Sequence, residues 1–162
     1  MLIVSDTSPL NYLVLVNAVD TLPVLFKEIY IPPAVLEELQ HQRSPDSVRH
    51  WVENLPPWLQ VRSPRKVSQL SGLHRGEIEA IALAEELSAD AILIDDRAGK
   101  LAASQRGVRV MGTLGVLAQA AFQNLIGVEQ TSSLLRQTSF RGPVELLQEI
   151  VDELRHKGNP PP

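Results

Sequence analysis

The sequence predicts an α/β fold with three layers, in which helices cover both faces of a central, mostly parallel sheet of about five strands. Short apolar runs with strand character alternate along the chain with segments of helical periodicity. Such alternation is typical of parallel sheets, because each return to the start of the next strand needs a covering helix. The length of 162 residues fits one domain with a sizeable core.

The strands are predicted where apolar residues run together between turn residues. In chain order these segments are LIVS at residues 2–5, EIYI at 28–31, LQV at 59–61, AILI at 91–94 and VRVM at 108–111. Continuous apolar character of this kind indicates strands that are covered on both faces.

Serine and proline mark the beginnings of the first helices. Ser8 precedes Pro9 and is predicted to be an N-cap, and the pair Ser44–Pro45 repeats this arrangement. Pro33 similarly begins the helix AVLEELQ. These positions suit proline because the first helical residue needs no backbone N–H.

Glycines delimit the helices of the second half. The clearest helical pattern, GEIEAIALAEEL, begins at Gly76, whereas Gly107 ends RAGKLAASQRG and Gly112 precedes TLGVLAQAAFQN. The last pattern, PVELLQEIVDELRHKG, extends from Pro143 to a basic last turn and Gly158. Its apolar stripe predicts a helix that covers its own core, with dimer or partner contacts as the less common alternative; the stripe comprises Leu147, Ile150, Val151 and Leu154.

Residues 41–68 differ in composition from the rest of the chain. They contain Pro45, Pro56, Pro57 and Pro64 and both tryptophans, and we expect a surface excursion here rather than a domain boundary. The tail GNPPP is predicted to be disordered. The chain is therefore divided into a single domain at residues 1–157 and a tail at residues 158–162.

Composition limits the classes of site that the protein can hold. The chain has no cysteine, so disulfides and thiolate metal sites are excluded, and its four histidines show no ligand spacing. A net charge of −4 argues against binding nucleic acid by bulk electrostatics, although acids concentrated in one cleft suit a divalent cation. The N-terminal stretch resembles neither a signal peptide nor a membrane span, and we expect a cytoplasmic protein without membrane contact.

Acidic residues follow two of the predicted strands. Asp6 comes directly after the first strand, and Asp95 and Asp96 follow AILI. In an open parallel sheet, ligands bind beyond the carboxyl ends of the strands, near the point where the strand order reverses. The two strands are therefore predicted to deliver their carboxylates to one crevice.

Two helices are predicted to add glutamates to this crevice. Glu77 lies one turn before the apolar stripe of its helix and is predicted to point inward, whereas Glu79 falls on the flank and is expected to be solvated. In AVLEELQ, helical projection places Glu38 closer to the buried face than Glu37.

Each of these acids has an ordinary structural explanation when it is taken alone. A single Asp before a helix is more often a cap, and a Glu on a helix is more often solvated. Their convergence is different, since clustered carboxylates are costly unless a cation neutralises them. Mg²⁺ or Mn²⁺ prefers such oxygen ligands, and the converging acids Asp6, Glu38 and Glu77 and the pair Asp95–Asp96 are the candidates to hold it.

A metal held by carboxylates activates water and polarises a phosphoryl oxygen, which predicts phosphodiester hydrolysis. Thr7 and Ser8 lie beside Asp6 at a helix start and are candidate substrate contacts, with a plain N-cap as the alternative for Ser8. Thr113 occupies a similar position after Gly112. Arg97, directly after the Asp pair, is favoured among the basic residues for contact with a nucleic-acid backbone.

With these residues identified, the chain resembles the PIN-domain proteins, a family that includes the toxin ribonucleases of VapBC toxin–antitoxin systems. IVSDTSPL, IPPAVLEEL, GEIEAIALA and AILIDDRAGKLAASQRGVRVMGTLGVL resemble the acidic motifs of the family in order, over roughly residues 1–125. The resemblance implies a PIN-like fold whose catalytic acids are Asp6, Glu38, Glu77 and Asp96, with Asp6, Glu77, Asp95 and Asp96 as the metal ligands. Asp95 is an alternative to Asp96 in the catalytic role. The helices from about residue 129 extend beyond a minimal PIN domain.

The sequence departs from the common toxin pattern in two places: Glu77 stands where Asp is usual, and Asp96 follows a second Asp. It resembles instead a branch described as predicted nucleic-acid-binding PIN proteins. The resemblance implies an RNA substrate, a homodimer and a possible cognate antitoxin. The main alternative is a non-catalytic PIN-like module that binds nucleic acid or protein; an aspartate-based phosphatase is less favoured, because Ser8 replaces the second Asp of that motif.

Overall fold

A computed structural model gives the fold, and the structure describes residues 1–158. The five strands are β1 (Leu2–Ser5), β2 (Glu28–Ile31), β3 (Leu59–Val61), β4 (Ala91–Leu93) and β5 (Val110–Met111). The helices up to the middle of the described chain are α1 (Thr7–Leu15), α2 (Leu22–Leu25), α3 (Pro33–Gln40), α4 (Asp46–Glu53) and α5 (Arg75–Glu86). The later helices are α6 (Arg97–Gln105), α7 (Thr113–Phe122), α8 (Val128–Arg136) and α9 (Leu146–Lys157).

All strand pairs are parallel, and the strand order is β3-β2-β1-β4-β5. The central strand β1 pairs with β2 on one side and with β4 on the other, so that Ile3 lies opposite both Ile29 and Ala91. From β1 the chain continues through β2 to β3 at one edge of the sheet, and from β4 it continues to β5 at the other edge. The order therefore reverses between β1 and β4, where a crevice forms at the carboxyl ends.

Alternate residues of the strands face two separate hydrophobic clusters, as the two-residue period of a strand requires. Ile3 and Leu93 face the larger cluster, together with apolar residues of α1, α3, α4, α7, α8 and α9. Val4 and Ile92 face the smaller cluster, which α5 and α6 cover. The predicted three-layer α/β fold with a parallel five-stranded sheet is confirmed.

Two predicted helix starts are wrong, that of α1 by two residues and that of α4 by one. Helix α1 begins at Thr7 with Asp6 as its N-cap residue, so Ser8 is inside the first turn and is not the cap. Helix α4 begins at Asp46 with Pro45, not Ser44, in the capping position. In both cases an extended residue directly before the helix takes the cap position, which a Ser-Pro pair alone does not locate.

Residues 41–68 are not merely a surface excursion. Helix α4 buries Val48 and Val52, and β3 buries Leu59 in the larger cluster. Both tryptophans are partly buried against the same cluster, with ring centroids 6.2 Å apart. The prolines interrupt this segment without excluding it from the core.

The C-terminal helix packs on its own chain. Helix α9 begins at Leu146 rather than at Pro143, and it packs chiefly against α7. Leu147, Val151 and Leu154 of the predicted stripe are buried there. Gly158 ends α9 in a left-handed conformation, with φ of 65°, and residues 159–162 of the predicted disordered tail lie outside the described residues.

Strand β5 is two residues shorter at its start than predicted, because Val108 donates its backbone N–H to Ala103 at the end of α6 instead of joining the sheet. The helices found between residues 1 and 158 all fall short of the length and apolarity that a membrane span needs.

Candidate active site

The reversal of strand order brings Asp6 and the pair Asp95–Asp96 to one edge of the sheet. Ser5 and Leu93 are partners in the β1–β4 ladder, so the acids follow neighbouring strand ends. The backbone N–H of Asp6 donates to the carbonyl of Leu93 at 2.8 Å and continues the pairing beyond the strand. The position of Asp6 is therefore fixed by the sheet itself.

Asp6 is a buried acid, with 5% of its surface exposed. Burial raises the pKa of Asp6 to about 7, and the backbone N–H of Thr7 opposes this rise. Repulsion from Glu77, Glu38 and Asp95 contributes a smaller part of this rise. Four carboxyl groups from separate elements therefore act on one another at this edge.

Glu77 lies in the first turn of α5 and points inward as predicted, with 6% of its surface exposed. Burial raises the pKa of Glu77, and repulsion from Asp96 adds to the rise. The Oε2 atom of Glu77 is buried and has no hydrogen-bond partner among residues 1–158. Buried polar atoms normally have partners, so the lack of one for this oxygen among the described residues is unusual.

Two glycines make room for the glutamates. A Cβ at Gly99 of α6 would lie 2.9 Å from Glu77 Oε2, and a Cβ at Gly76 of α5 would lie 2.6 Å from Glu38 Oε1. Real Cβ atoms essentially never approach so closely, so a larger residue would displace the carboxylates. The absence of side chains at these two positions lets α5 and α6 border the acidic cluster closely.

Glu38, rather than Glu37, faces the site. Glu38 is partly buried in α3 and accepts a hydrogen bond from the Thr7 hydroxyl, whereas Glu37 is exposed and pairs with Arg75. The hydroxyl of Thr7 is therefore engaged by a neighbouring acid. The neighbouring hydroxyl of Ser8 lies on two clefts described below.

The two adjacent aspartates have different partners. Asp95 accepts hydrogen bonds from the backbone N–H and the hydroxyl of Thr113, at 2.7 and 2.6 Å. Asp96 is exposed and accepts from the backbone N–H of Gly99 at 3.0 Å, which caps α6. Asp95 thus joins β4 to the start of α7, and Asp96 keeps more of its carboxylate open to solvent.

Glu79 is not solvated, in contrast to the prediction. It is 9% exposed and accepts hydrogen bonds from Arg75 Nε at 2.8 Å and from the backbone N–H of Ala34 at 3.4 Å. Helix α5 packs on α3 as well as on the sheet, so its flank is covered too. Glu79 therefore satisfies a backbone donor in the first turn of α3, the helix that carries Glu38.

The predicted substrate contacts occupy different surroundings. Thr113 is fully buried and its hydroxyl binds Asp95, and Arg97 is exposed at the first position of α6. Lys100, one turn later, lies on the cleft beside Asp95 and Asp96, whereas Arg97 does not border this cleft. Contact of Thr7, Ser8, Thr113 or Arg97 with a substrate stays a prediction.

Two clefts flank the acidic cluster. One, of about 550 Å³, is bordered by Asp95, Asp96 and Lys100 on one side and by residues 139–143 on the other. The second, of about 340 Å³, is bordered by Thr7, Glu38 and Arg43. Ser8 lies on both.

Sequence reasoning missed the contribution of residues 139–143 to the first cleft. This segment lies between α8 and α9 and has no periodic pattern. Only the packing of α9 on α7 brings it to the sheet edge.

The carboxylate oxygens of the acidic cluster are donors that suit a hard divalent cation. Within residues 1–158, no three His, Cys, Asp or Glu side chains are arranged so that they alone hold a metal ion. Mg²⁺ commonly takes only one or two protein carboxylates and completes its shell with water and substrate phosphate. The free oxygen of Glu77 and the repulsion among the acids are consistent with that mode of binding.

Comparisons with known proteins agree with this fold. The family model for DUF3368, described as a PIN domain, matches residues 2–156. The structure is similar to that of a PilT N-terminus domain protein from the hyperthermophilic archaeon Sulfolobus solfataricus, with a TM-score of 0.55 and 19% identity over 74% of this chain and 93% of that chain. No curated protein sequence matches the chain significantly. Because the family model spans nearly the whole chain, the protein belongs to the PIN-domain family.

Proposed function

We propose that the protein is a cytoplasmic, metal-dependent endoribonuclease that hydrolyses RNA phosphodiester bonds, and that it is the toxin or a toxin-like member of a VapBC-type system. The PIN domain is generally a nuclease fold, and PIN domains generally use divalent metal ions. The observation that carries the proposal is the meeting of Asp6, Glu38, Glu77 and Asp96 at one sheet edge, with a buried Glu77 oxygen that has no hydrogen-bond partner within residues 1–158.

The residues of this edge have distinct roles in the proposal. Asp6, Glu77 and Asp96, with Asp95 behind them, would hold Mg²⁺ or Mn²⁺. The bound ion would polarise a phosphoryl oxygen and make its water acidic enough to attack. Ionised carboxylates are needed for this, and a cation reverses the repulsion that favours the protonated form of Asp6.

The remaining residues of the site position the substrate. Glu38 is oriented by the hydroxyl of Thr7, and it stands beside the start of α5 where the acids meet. Ser8 borders both clefts, and in the proposal its hydroxyl would donate to a phosphate oxygen. Thr113 orients Asp95, and Arg97 would contact the phosphate backbone outside the cleft.

Replacement of the acids tests the nuclease function directly. Asp6→Asn and Asp96→Asn keep the side-chain shape but remove the charge that holds a cation, so each should lower the rate of Mg²⁺-dependent RNA cleavage by at least about a hundredfold. Cleavage of a labelled single-stranded RNA by purified protein, with and without EDTA, measures this.

Asp20→Asn is the matched control, since Asp20 is an exposed acid in a short 3₁₀ turn away from the sheet edge. Its rate should equal that of the wild type. Metal-dependent cleavage at the same rate in the wild type, Asp6→Asn and Asp96→Asn would contradict the proposed function.

A toxin role further implies a homodimer and a cognate antitoxin. Light scattering of the purified protein and the identity of the neighbouring reading frame test these two partners. The apolar stripe of α9 is already buried against α7, so a dimer would use another surface.

The alternative of a non-catalytic binding module has one observation in its favour, namely that residues 1–158 contain no ready group of three metal ligands. Calorimetry separates the two functions. Binding of Mg²⁺ or Mn²⁺ that Asp6→Asn abolishes supports the nuclease, whereas RNA binding without any metal binding supports the module.

A further inference from the structure

The cleft of about 550 Å³ beside the acidic cluster is large enough for one nucleotide and carries the groups that recognise one. Its border includes two cations, Lys100 and Arg141, and two aromatic rings, Tyr12 and Phe140. We propose that this cleft is the subsite for an unpaired RNA nucleotide next to the scissile bond, with Lys100 and Arg141 on its phosphate and the Tyr12–Phe140 pair against its base. The inference rests on the proposed nuclease function.

Hydrogen bonds and an aromatic contact hold residues 139–143 in place as one wall of the cleft. The hydroxyls of Tyr12 and Ser139 are 3.2 Å apart, and the backbone N–H of Phe140 donates to the Thr138 hydroxyl at 3.1 Å. The rings of Tyr12 and Phe140 meet edge to face, with centroids 5.1 Å apart. Such contacts fix the aromatic surface before a ligand arrives.

Gly142 keeps the ring of Phe140 in place. A Cβ at this position would lie 2.5 Å from the Phe140 ring, so the backbone of the segment lies directly against the ring. One side of the ring is thereby covered by its own chain. Tyr12 and the part of the Phe140 ring that its own chain leaves uncovered border the cleft.

The two cations are available to an anion. Neither Lys100 nor Arg141 forms an ion pair or hydrogen bond with any of residues 1–158 through its side chain. Gly112 lies close to Lys100 and Asp95, since a Cβ there would lie 3.1 Å from both Lys100 Nζ and Asp95 Oδ1. An uncompensated cation thus stands beside the acids, in a protein whose net charge is −4.

The position and the chemistry of the cleft together select the ligand. The cleft shares Ser8, Asp95 and Asp96 with the candidate active site, so a group bound in it lies next to the bond to be cleaved. Stacking on an aromatic side chain requires a base that is not paired within a duplex. A single strand, rather than a double helix, is therefore the substrate form that fits.

Binding of a fluorescent single-stranded RNA in EDTA tests the phosphate contacts without cleavage. Lys100→Gln and Arg141→Gln should each weaken binding several-fold, and each should reduce the slope of log Kd against log salt by about 0.7, the value for one phosphate contact on a single strand. Arg155→Gln on α9, which removes the same charge on another face, should change neither quantity.

Abasic substitution tests the base contact. In the wild type, removal of the base at one nucleotide position should weaken binding about tenfold, as expected for a stacked base. In Phe140→Leu the same abasic RNA should bind as well as the intact RNA. Thermal unfolding of Phe140→Leu establishes that the variant is folded. If the abasic substitution weakened binding equally in the wild type and in Phe140→Leu, the base contact would be overturned.

The outcomes separate this inference from the nuclease function. If the wild type cleaves RNA but Lys100→Gln and Arg141→Gln behave as Arg155→Gln does, the subsite is overturned and the nuclease stands. If no divalent ion supports cleavage, the binding measurements still decide the subsite. A wild-type protein that does not bind single-stranded RNA would overturn it.

Discussion

Asp6 makes the stability of the protein depend on pH in a direction unusual for an aspartate. Its pKa is about 7 in the fold, against an ordinary value of 3.8, chiefly because it is buried among other acids. The folded protein therefore binds this proton more tightly than the unfolded chain does. The resulting stabilisation is complete below about pH 4 and is lost as the pH rises through about 7.

Asp6→Asn should remove this dependence in the metal-free protein. Between pH 4 and 7, the free energy of unfolding of the wild type should fall relative to that of the variant by up to about 1.4 kcal/mol per pH unit. Urea unfolding in EDTA at several pH values measures the difference. Asp20→Asn, at an exposed position, should follow the wild type; a difference between wild type and Asp6→Asn that does not vary with pH would contradict the raised pKa.

Several residues of the site could be located from sequence because a strand end or a helix face determines where they lie. Asp6 and Asp96 follow strands, and the placement of Glu77 and Glu38 follows from the apolar stripes of α5 and α3. The sequence could not show that Asp6 rather than Ser8 occupies the N-cap position of α1. Both residue types are good N-caps, and only backbone dihedral angles distinguish them.

At the scale of elements, helix α3 is held in place by an acid of α5. Glu79 accepts from the backbone N–H of Ala34 and from Arg75, which also pairs with Glu37. These contacts join the helix that carries Glu38 to the helix that carries Glu77. Glu79 therefore helps to hold α3 against α5.

Glu79→Ala should destabilise the protein by about 1–3 kcal/mol, because a buried backbone donor in the first turn of α3 loses its partner. Denaturant unfolding measures this loss. Glu85→Ala on the same helix breaks only a partly exposed ion pair with Arg106 and should cost less than about 1 kcal/mol. Equal losses in the two variants would show that the bond to Ala34 contributes nothing.

The burial of Glu79 illustrates where reasoning from helical periodicity fails. The apolar stripe of α5 identifies the face on the sheet, but α3 covers a second flank that contains a charged residue. Periodicity reports one apolar face and carries no information about a polar contact between two helices.

At the scale of the whole molecule, α9 completes the larger hydrophobic cluster. Leu147 is fully buried between α9 and α7, whereas its neighbour Leu146 is 37% exposed. The last helix is therefore part of the domain core and not an appendage. The sequence predicted this packing from the stripe, but the position of residues 139–143 followed only from the three-dimensional path of the chain.

The pair Leu147 and Leu146 offers a matched test. Leu147→Ala leaves a cavity in the core and should lower the free energy of unfolding by about 2–5 kcal/mol. Leu146→Ala, on the exposed side of the same helix, should lower it by less than about 1 kcal/mol. Calorimetric unfolding of both variants checks the difference, and a small loss in Leu147→Ala would mean that α9 is not integral to the core.

The central place of β1 in the sheet also bears on synthesis of the chain. The ribosome makes Asp6 about ninety residues before Asp95 and Asp96, which follow the strand β4 that pairs with β1. A nascent chain cannot assemble the acidic edge until β4 has left the exit tunnel. The proposed nuclease would therefore be inactive toward its own messenger RNA until that point of synthesis.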